Sequence, residues 1–397
     1  MNIKSKFSNK VVDLNASAIR EVFKLLGKPG IISFAGGAPA AEGFPIGRLS
    51  DIAKEILREN GGIALQYSVT EGYEPLRTWV KERLESQNIG CEIDETVIVS
   101  GGQQGIDLAA HSLLNEGDAV ICEEPTFVGG LNAFRSYKAE IYGAPIQADG
   151  IDVDAVENIL KEKKNVKFIY TIPTFQNPTG ITMSFEKRKK LLALAKEYDV
   201  LILEDNPYGE LRFDGDDIPT IKSMDTEGRV IYVGSFSKIL SPGLRVGFVC
   251  AERSLVERMV ICKQTSDVHT NSFTQIMIHE FVTKHSIDEH IENLRALYGK
   301  RCRKMIECIE QHFPSEITFT RPQGGLFIFC TMPDGIDAKE IVKKALEKNV
   351  AFIPGATTMI DDKKVYSTFR LNYSNMSSEK IEMGIKLLGN VLYNEMK

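Results

Sequence analysis

No uninterrupted apolar run in this 397-residue chain approaches the about 18 residues of a membrane span. The amino-terminal stretch MNIKSKFSNKVVDLN likewise has no apolar core of the secretory kind. A cytoplasmic location with no membrane partner is therefore expected. There is no C-x-x-C pair: seven cysteines, at 91, 122, 250, 262, 302, 308 and 330, are odd in number and scattered, which excludes a disulfide or zinc framework and predicts reduced, mostly buried thiols. Excess positive charge is missing too. A net charge of -6 disfavours nucleic acid and anionic membranes, and no internal repeat or low-complexity linker interrupts the chain.

What is present is an ordinary globular composition, 43% hydrophobic and 26% charged, on a length that makes two or three core-forming units of about 150 residues each. From about residue 96 to 265 short β-branched runs alternate with helix-period segments: TVIVS, AVICEE, AEIYGA, KFIYTIP, VLILED, VIYVGS and LRVGFVCA. Several are apolar throughout, as strands covered on both faces must be. The pattern predicts an α/β fold with a mainly parallel seven-stranded sheet and helices on both faces. Beyond about 285 a long helical pattern, ITFTRP, LFIFCTM, a helix over 337–347, VAFIPG, TFRLNYS and a closing helix from 377 predict a smaller α+β domain. The expected division is 1–45 for an N-terminal helix and joining segment, 46–290 for a large domain and 291–397 for a small C-terminal one.

Ligands on such sheets bind at the carboxyl ends of the strands, and four unusual stretches fall there. VLILEDNPY ends a strand in Glu204 and Asp205, and YTIPTFQNPTG lodges Asn177 among turn formers. VSGGQQGIDLAA leaves a strand through paired glycines into a helix, whose unpaired N–H groups and dipole suit a phosphate. GSFSKILSPGLRVGF sets Lys238 between Ser237 and an apolar pair with no acid in the stretch. Singly each has a plain reading: a strand-end aspartate is more often a turn residue, Gly-Gly a tight turn, and a loop lysine a solvated charge. Jointly they fit one ligand, a phosphorylated aromatic aldehyde that condenses with a lysine. That ligand is pyridoxal 5'-phosphate, which needs an acidic partner for its ring nitrogen.

With NASAIREVFKLL, ISFAGGAPA, LQYSVTEGYEPLR, GGQQGIDL, QNPTG, EDNPY, GSFSKILSPGLRVGF and FRLNYS in order, nearly the whole chain resembles the fold-type-I pyridoxal phosphate aminotransferases, in the branch of the 2-aminoadipate and kynurenine enzymes. The resemblance implies that Lys238 bonds the cofactor and then serves as the base, that Asp205 holds the ring nitrogen, and that Asn177 with Tyr208 bonds the ring hydroxyl. It assigns the phosphate to Gly102, Gln103, Ser235, Ser237 and Arg245, with Tyr67 reaching over from a second subunit of a homodimer. Phe127 falls where related sequences stack an aromatic ring, commonly tyrosine. Arg370 matches the arginine for the substrate α-carboxylate, and Gly37 falls in the substrate region. Ser17 and Arg20, three apart, share a helix face; alone Arg20 reads as a solvated helix residue, while in this branch an arginine here faces the substrate side chain.

The implied reaction is ping-pong transfer of an amino group from an L-amino acid (2-aminoadipate, glutamate, leucine-like or aromatic) to a 2-oxo acid, with 2-oxoglutarate the expected acceptor. Alternatives stay open: β-elimination or another reaction of the same cofactor, and a ligand-sensing regulatory module of the same fold. The latter needs a DNA-binding module, and the about thirty residues before ISFAGG are too few for a helix-turn-helix domain. A zinc-hydrolase reading of HEFVTKH fails on spacing, because His279 and His285 are six apart where a shared helix face requires about four.

Overall fold

The computed structural model describes residues 3–12 and 30–396. Its first strand pairing lies outside the large sheet: β1 (Ile32–Ser33). Helices α1 (Ile46–Ala64) and α2 (Glu74–Glu85) lead into the large sheet. Its strands are β2 (Thr96–Val99), β3 (Ala119–Glu124), β4 (Glu140–Gln147), β5 (Gly150–Ile151), β6 (Val166–Thr171), β7 (Leu201–Asp205), β8 (Val230–Ser235) and β9 (Gly247–Cys250). The order across the sheet is β2-β9-β8-β7-β6-β3-β4-β5. Seven of these are the strands expected from sequence; the eighth, β5, is a two-residue antiparallel addition at the β4 edge. Only β5 and β9 run against the rest.

Alternation along each strand builds two cores. Val120 and Cys122 of β3, Phe168 and Tyr170 of β6 and Leu203 of β7 join one cluster, while Ala119, Ile121, Ile169 and Ile202 join the other. Successive side chains point to opposite faces of a strand. The first face is covered by α3 (Gly102–Leu113) and α4 (Val128–Ser136), the second by α5 (Val153–Glu162) and α6 (Phe185–Glu197). Helices α7 (Arg253–Ser266) and α8 (Ser272–Lys284) add buried residues to the first core.

The long helix α9 (Ile287–His312) leads into an antiparallel sheet of β10 (Thr318–Phe319), β11 (Phe327–Thr331), β14 (Thr368–Asn372) and β13 (Ile353–Pro354). Helices α10 (Ala338–Glu347) and α11 (Ser378–Glu395) fall close to the expected spans of this region. The expected division at 290/291 lies in the first turn of α9. The amino-terminal segment closes onto this part, because β1 pairs in parallel with β12 (Val350–Ala351), Ile32 beside Val350. The chain from 33 onward is thereby led past the ends of the large-sheet strands.

Register decides which strand ends become neighbours. Gly247 of β9 stands beside both Val99 of β2 and Ser235 of β8. Because β9 is reversed, the residues that precede it emerge on the same edge where β2 and β8 finish. Helix α3 lies close on this seam: a Cβ at Gly105 would stand 2.9 Å from Val233 and 3.0 Å from Val249. Gly105→Leu is therefore expected to push α3 off the sheet, costing about 1–3 kcal/mol of overpacking. Thermal melting with and without cofactor tests this: the melting temperature should fall in both states, and cofactor affinity with it.

Candidate active site

A cavity of about 300 Å³ opens at the carboxyl ends of β2, β3, β6, β7 and β8, lined among others by Gly37, Gly102, Gln103, Phe127, Asn177, Asp205, Tyr208, Ser235, Ser237, Lys238, Arg245 and Arg370. Twelve residues named from the sequence thus meet in one place. Tyr67 does not line it; the residue is 82% exposed and its ring lies T-shaped to His269 with centroids 5.9 Å apart. Ser17 and Arg20 lie outside the described residues.

Strand alternation sorts the two acids that end β7. Glu204 faces away and accepts the backbone N–H groups of Ile221 (3.0 Å) and Lys222 (2.7 Å). Asp205 faces the cavity, 4% exposed, and accepts a bond from the Tyr170 hydroxyl at 2.9 Å. Burial raises its pKa to about 7; Tyr170 and Lys238 oppose that rise, and the charge of Glu123 adds to it. A carboxylate in this state gains from any cation brought against it.

The turn after β8 shows why Lys238 sits between a serine and an apolar pair. Phe236, Ile239 and Leu240 are buried and pin the turn, and the Leu240 N–H returns to the Phe236 carbonyl at 2.9 Å. Ser235, Ser237 and Lys238 are left to face the cavity. Desolvation, helped by the positive charges of Arg370 and Arg245, lowers the Lys238 pKa to about 8. Its Nζ donates to the Gly37 carbonyl at 2.8 Å.

Arg370, on β14, is 7% exposed and donates from Nη1 to Asn177 Oδ1 and from Nη2 to the Ala35 carbonyl, each at 2.7 Å. Its Nε has no partner, and no carboxylate is among its described contacts. Its guanidinium lies 4.2 Å from the Phe327 ring centre, and burial draws its pKa down to about 10. Asn177 completes this side by donating to the Tyr208 hydroxyl at 3.4 Å.

At the other end no side chain caps α3. Gly101 ahead of it has φ +83, and a Cβ there would come within 2.3 Å of Arg245 Nη2. Glycine is required both for the turn and for the approach of the guanidinium. Arg245, itself left-handed at φ 52, donates from Nη2 to the Ser100 carbonyl at 3.0 Å. Gln103 spends its side chain on the Gly129 carbonyl at 2.9 Å, which leaves its N–H as its contribution to the helix start.

The chain's donor set fits pyridoxal phosphate: an open helix start beside an arginine for the phosphate, a desolvated carboxyl with one hydroxyl partner for a ring cation, and a lysine of lowered pKa for the aldehyde. Sequence reading passed over Glu123, Tyr170 and Gln176. Glu123 accepts from Thr171 (2.5 Å), the Ile172 N–H and Gln176 (both 3.1 Å), and so ties down the turn that carries Asn177. An acid and a tyrosine inside the apolar runs AVICEE and KFIYTIP were the available signals, since each needs a buried partner.

A sequence profile described as "Aminotransferase class I and II" matches residues 30–388. Aromatic-amino-acid aminotransferase 1 of Thermococcus litoralis is 42% identical, over 98% of this chain and 95% of the relative. The structure of a Pyrococcus horikoshii kynurenine aminotransferase in complex with PMP superposes with a TM-score of 0.95 at 40% identity, covering 100% of this chain and 99% of that one. That of a Thermus thermophilus alpha-aminoadipate aminotransferase, complexed with N-(5'-phosphopyridoxyl)-L-leucine, gives 0.93 at 37% with the same coverage.

The raised Asp205 pKa has a measurable consequence. A buried acid of raised pKa adds stability in full below its ordinary range near 4 and loses it as the pH rises through about 7. Without cofactor, the melting temperature should therefore fall from pH 5 to 8 more steeply than in Asp205→Asn, which keeps the shape but does not titrate. Glu123 is common to both proteins, and its charge acts on Asp205 in the same direction as burial. Identical slopes would show that Asp205 is ionised without its cation.

Proposed function

We propose, from the premise that this chain belongs to the class I and II aminotransferases, that it moves the amino group of an aromatic or 2-aminoadipate-type L-amino acid to a 2-oxo acid, 2-oxoglutarate foremost, in two successive half-reactions. Pyridoxal phosphate is the cofactor, and when bound it supplies an electrophilic aldehyde and a cationic ring that accepts the electrons released at the substrate Cα. Support for the substrate class comes from the relatives named for aromatic amino acids, kynurenine and alpha-aminoadipate. The observation that carries the reading is the convergence of Lys238 and Arg370 on one short segment, through the carbonyls of Gly37 and Ala35, with the guanidinium lacking a carboxylate.

Arg370 orients the substrate by its α-carboxylate, since a planar fork fixes direction as well as charge. Lys238, its pKa lowered to about 8, is unprotonated often enough near neutral pH to take the Cα proton. Asp205 keeps the ring nitrogen cationic, Asn177 and Tyr208 hold the ring hydroxyl, and Phe127 covers the ring. Gly102, Gln103, Ser235, Ser237 and Arg245 hold the phosphate. Arg20, with Ser17, is assigned to a distal carboxylate on the sequence resemblance alone.

An amino-acid panel assayed with 2-oxoglutarate tests the proposal. Arg370→Ala should lower kcat/KM for every donor by about 30-fold or more, as loss of a buried charge partner costs about 2–5 kcal/mol. Arg20→Ala should weaken 2-aminoadipate and glutamate and spare leucine-like donors. Equal losses for both classes would leave Arg20 as a helix residue, and an inactive wild-type panel would sink the aminotransferase reading.

The proposed working unit is a homodimer in which each chain lends Tyr67 to the other's phosphate site. In its favour, Tyr67 and its chain neighbours Ile63, Leu65 and Val69 are large apolar residues each 58–82% exposed in the single chain. Mixing Lys238→Ala with Tyr67→Asp under subunit exchange should restore activity in proportion to the mixed dimer, because one of its two sites combines an intact Lys238 with a donated Tyr67. Exchange without recovery would place Tyr67 in its own chain's packing.

A further inference from the structure

Behind the phosphate end lies a charge pair that the chemistry above does not use. Lys263, near the end of α7, is 0% exposed, which is costly for an ammonium unless its donors are met. They are met by Asp267 Oδ1 (2.8 Å) and Oδ2 (3.0 Å), Gln104 Oε1 (2.9 Å) and Thr270 Oγ1 (3.0 Å). Asp267 Oδ2 also accepts from the Ser100 hydroxyl and from Gln104 Nε2, each at 2.8 Å. Gln104 Oε1 in turn accepts the Ser100 N–H at 2.7 Å. Ser100 is therefore gripped by both its N–H and its hydroxyl, and its carbonyl receives Arg245 Nη2 at 3.0 Å. The next two residues are Gly101 and Gly102, which open α3 toward the cavity.

We infer that Lys263 and Asp267 are positioning residues for the cofactor phosphate, holding the Ser100–Gly102 turn so that the helix start and the Arg245 guanidinium face one oxyanion. Two apolar side chains would fill the same space without desolvation, but they would not set the direction of the Ser100 carbonyl. The charges also require each other. Asp267 alone would place a negative group one turn behind a phosphate, and Lys263 neutralises it within 3.0 Å. Burial would raise the Asp267 carboxyl, and the bonds from Lys263, Gln104 and Ser100 outweigh it, keeping it ionised below its ordinary range.

The inference rests on the proposed seat of the phosphate, and the test separates the two. Apo forms of Lys263→Met, Asp267→Asn and Arg245→Met are titrated with pyridoxal phosphate and with pyridoxal, the same ring without the phosphate. Losing the aim of one charge-assisted bond should raise the Kd for pyridoxal phosphate by about tenfold or more in the first two variants, with pyridoxal changed less than about twofold. Arg245→Met should show the same selectivity. If the Lys263 and Asp267 variants weaken both ligands alike, or neither, while Arg245→Met stays selective, the pair is only a brace and the inference falls. If Arg245→Met is itself unselective, the phosphate seat is wrong and the inference falls with it. Should Lys263→Met fail to fold, Asp267→Asn decides between these outcomes, because it keeps an acceptor for Lys263.

Discussion

A buried carboxyl left with a single hydroxyl partner at the end of its strand invites a cation, and the cavity is organised around that deficit at Asp205. Asp205 is carried into place by a strand whose other residues have no choice but to be inside: Ile202 and Leu203 are fully buried on opposite faces. The sheet thus supplies rigidity and dryness together. In water the same aspartate would be ionised at little cost and would hold a ring cation weakly; in the dry seat charge attraction is several times stronger. The position of Lys238, one strand over, follows from the same sheet, since β7 and β8 pair in parallel with Asp205 beside Val233.

The second cationic centre is positioned by a different device. Arg370 belongs to the small antiparallel sheet, and it reaches the cavity because β1 pairs with β12 and leads residues 35–37 between the two sheets. That segment offers carbonyls alone to two cations. A carbonyl holds an ammonium or guanidinium in direction without cancelling its charge, so both groups remain available to incoming anions and carbonyl carbons. The Phe327 face under Arg370 acts in the same sense. Lowered pKa values at Lys238 and Arg370 are the mark of that incomplete compensation.

Much of this was legible because it depends on strand ends. Continuous runs such as AVICEE and VIYVGS read as covered strands, and the residues just after them fall at the ligand edge, which singled out Asn177, Asp205 and Lys238; Tyr208 came only with the family resemblance. The reversed direction of β9 was not legible, since LRVGFVCA reads the same both ways; it is what brings Arg245 to the edge. Nor were Glu123 and Lys263. A lone charge in a segment reads as a solvated face until the third dimension supplies its three partner residues, and ICKQTSDVHT gives no sign that its lysine is the most buried charge of the phosphate end. The exposure of Tyr67 leaves no pattern of its own in LQYSVTEGY either.

Three buried acids stand at the ends of β3 and β7, the two strands that flank β6, and comparing them shows how structure separates support from chemistry. Glu204 is satisfied by two backbone N–H groups and by the charges of Arg188 and Lys222. Glu123 has three neutral donors and holds a turn. Asp205 has a single hydroxyl, and burial lifts it to about 7. The least satisfied of the three is the one that faces open space. A fold selected for stability alone would have completed its hydrogen bonds as it did for the other two, so the missing partner points to a ligand that carries the positive charge. The same reasoning applies at Arg370, whose buried Nε is unpaired and whose described contacts include no carboxylate. Two complementary deficits, one anionic and one cationic, then line one cavity with Lys238, and a cationic ring together with the free carboxylate of an amino acid would answer both.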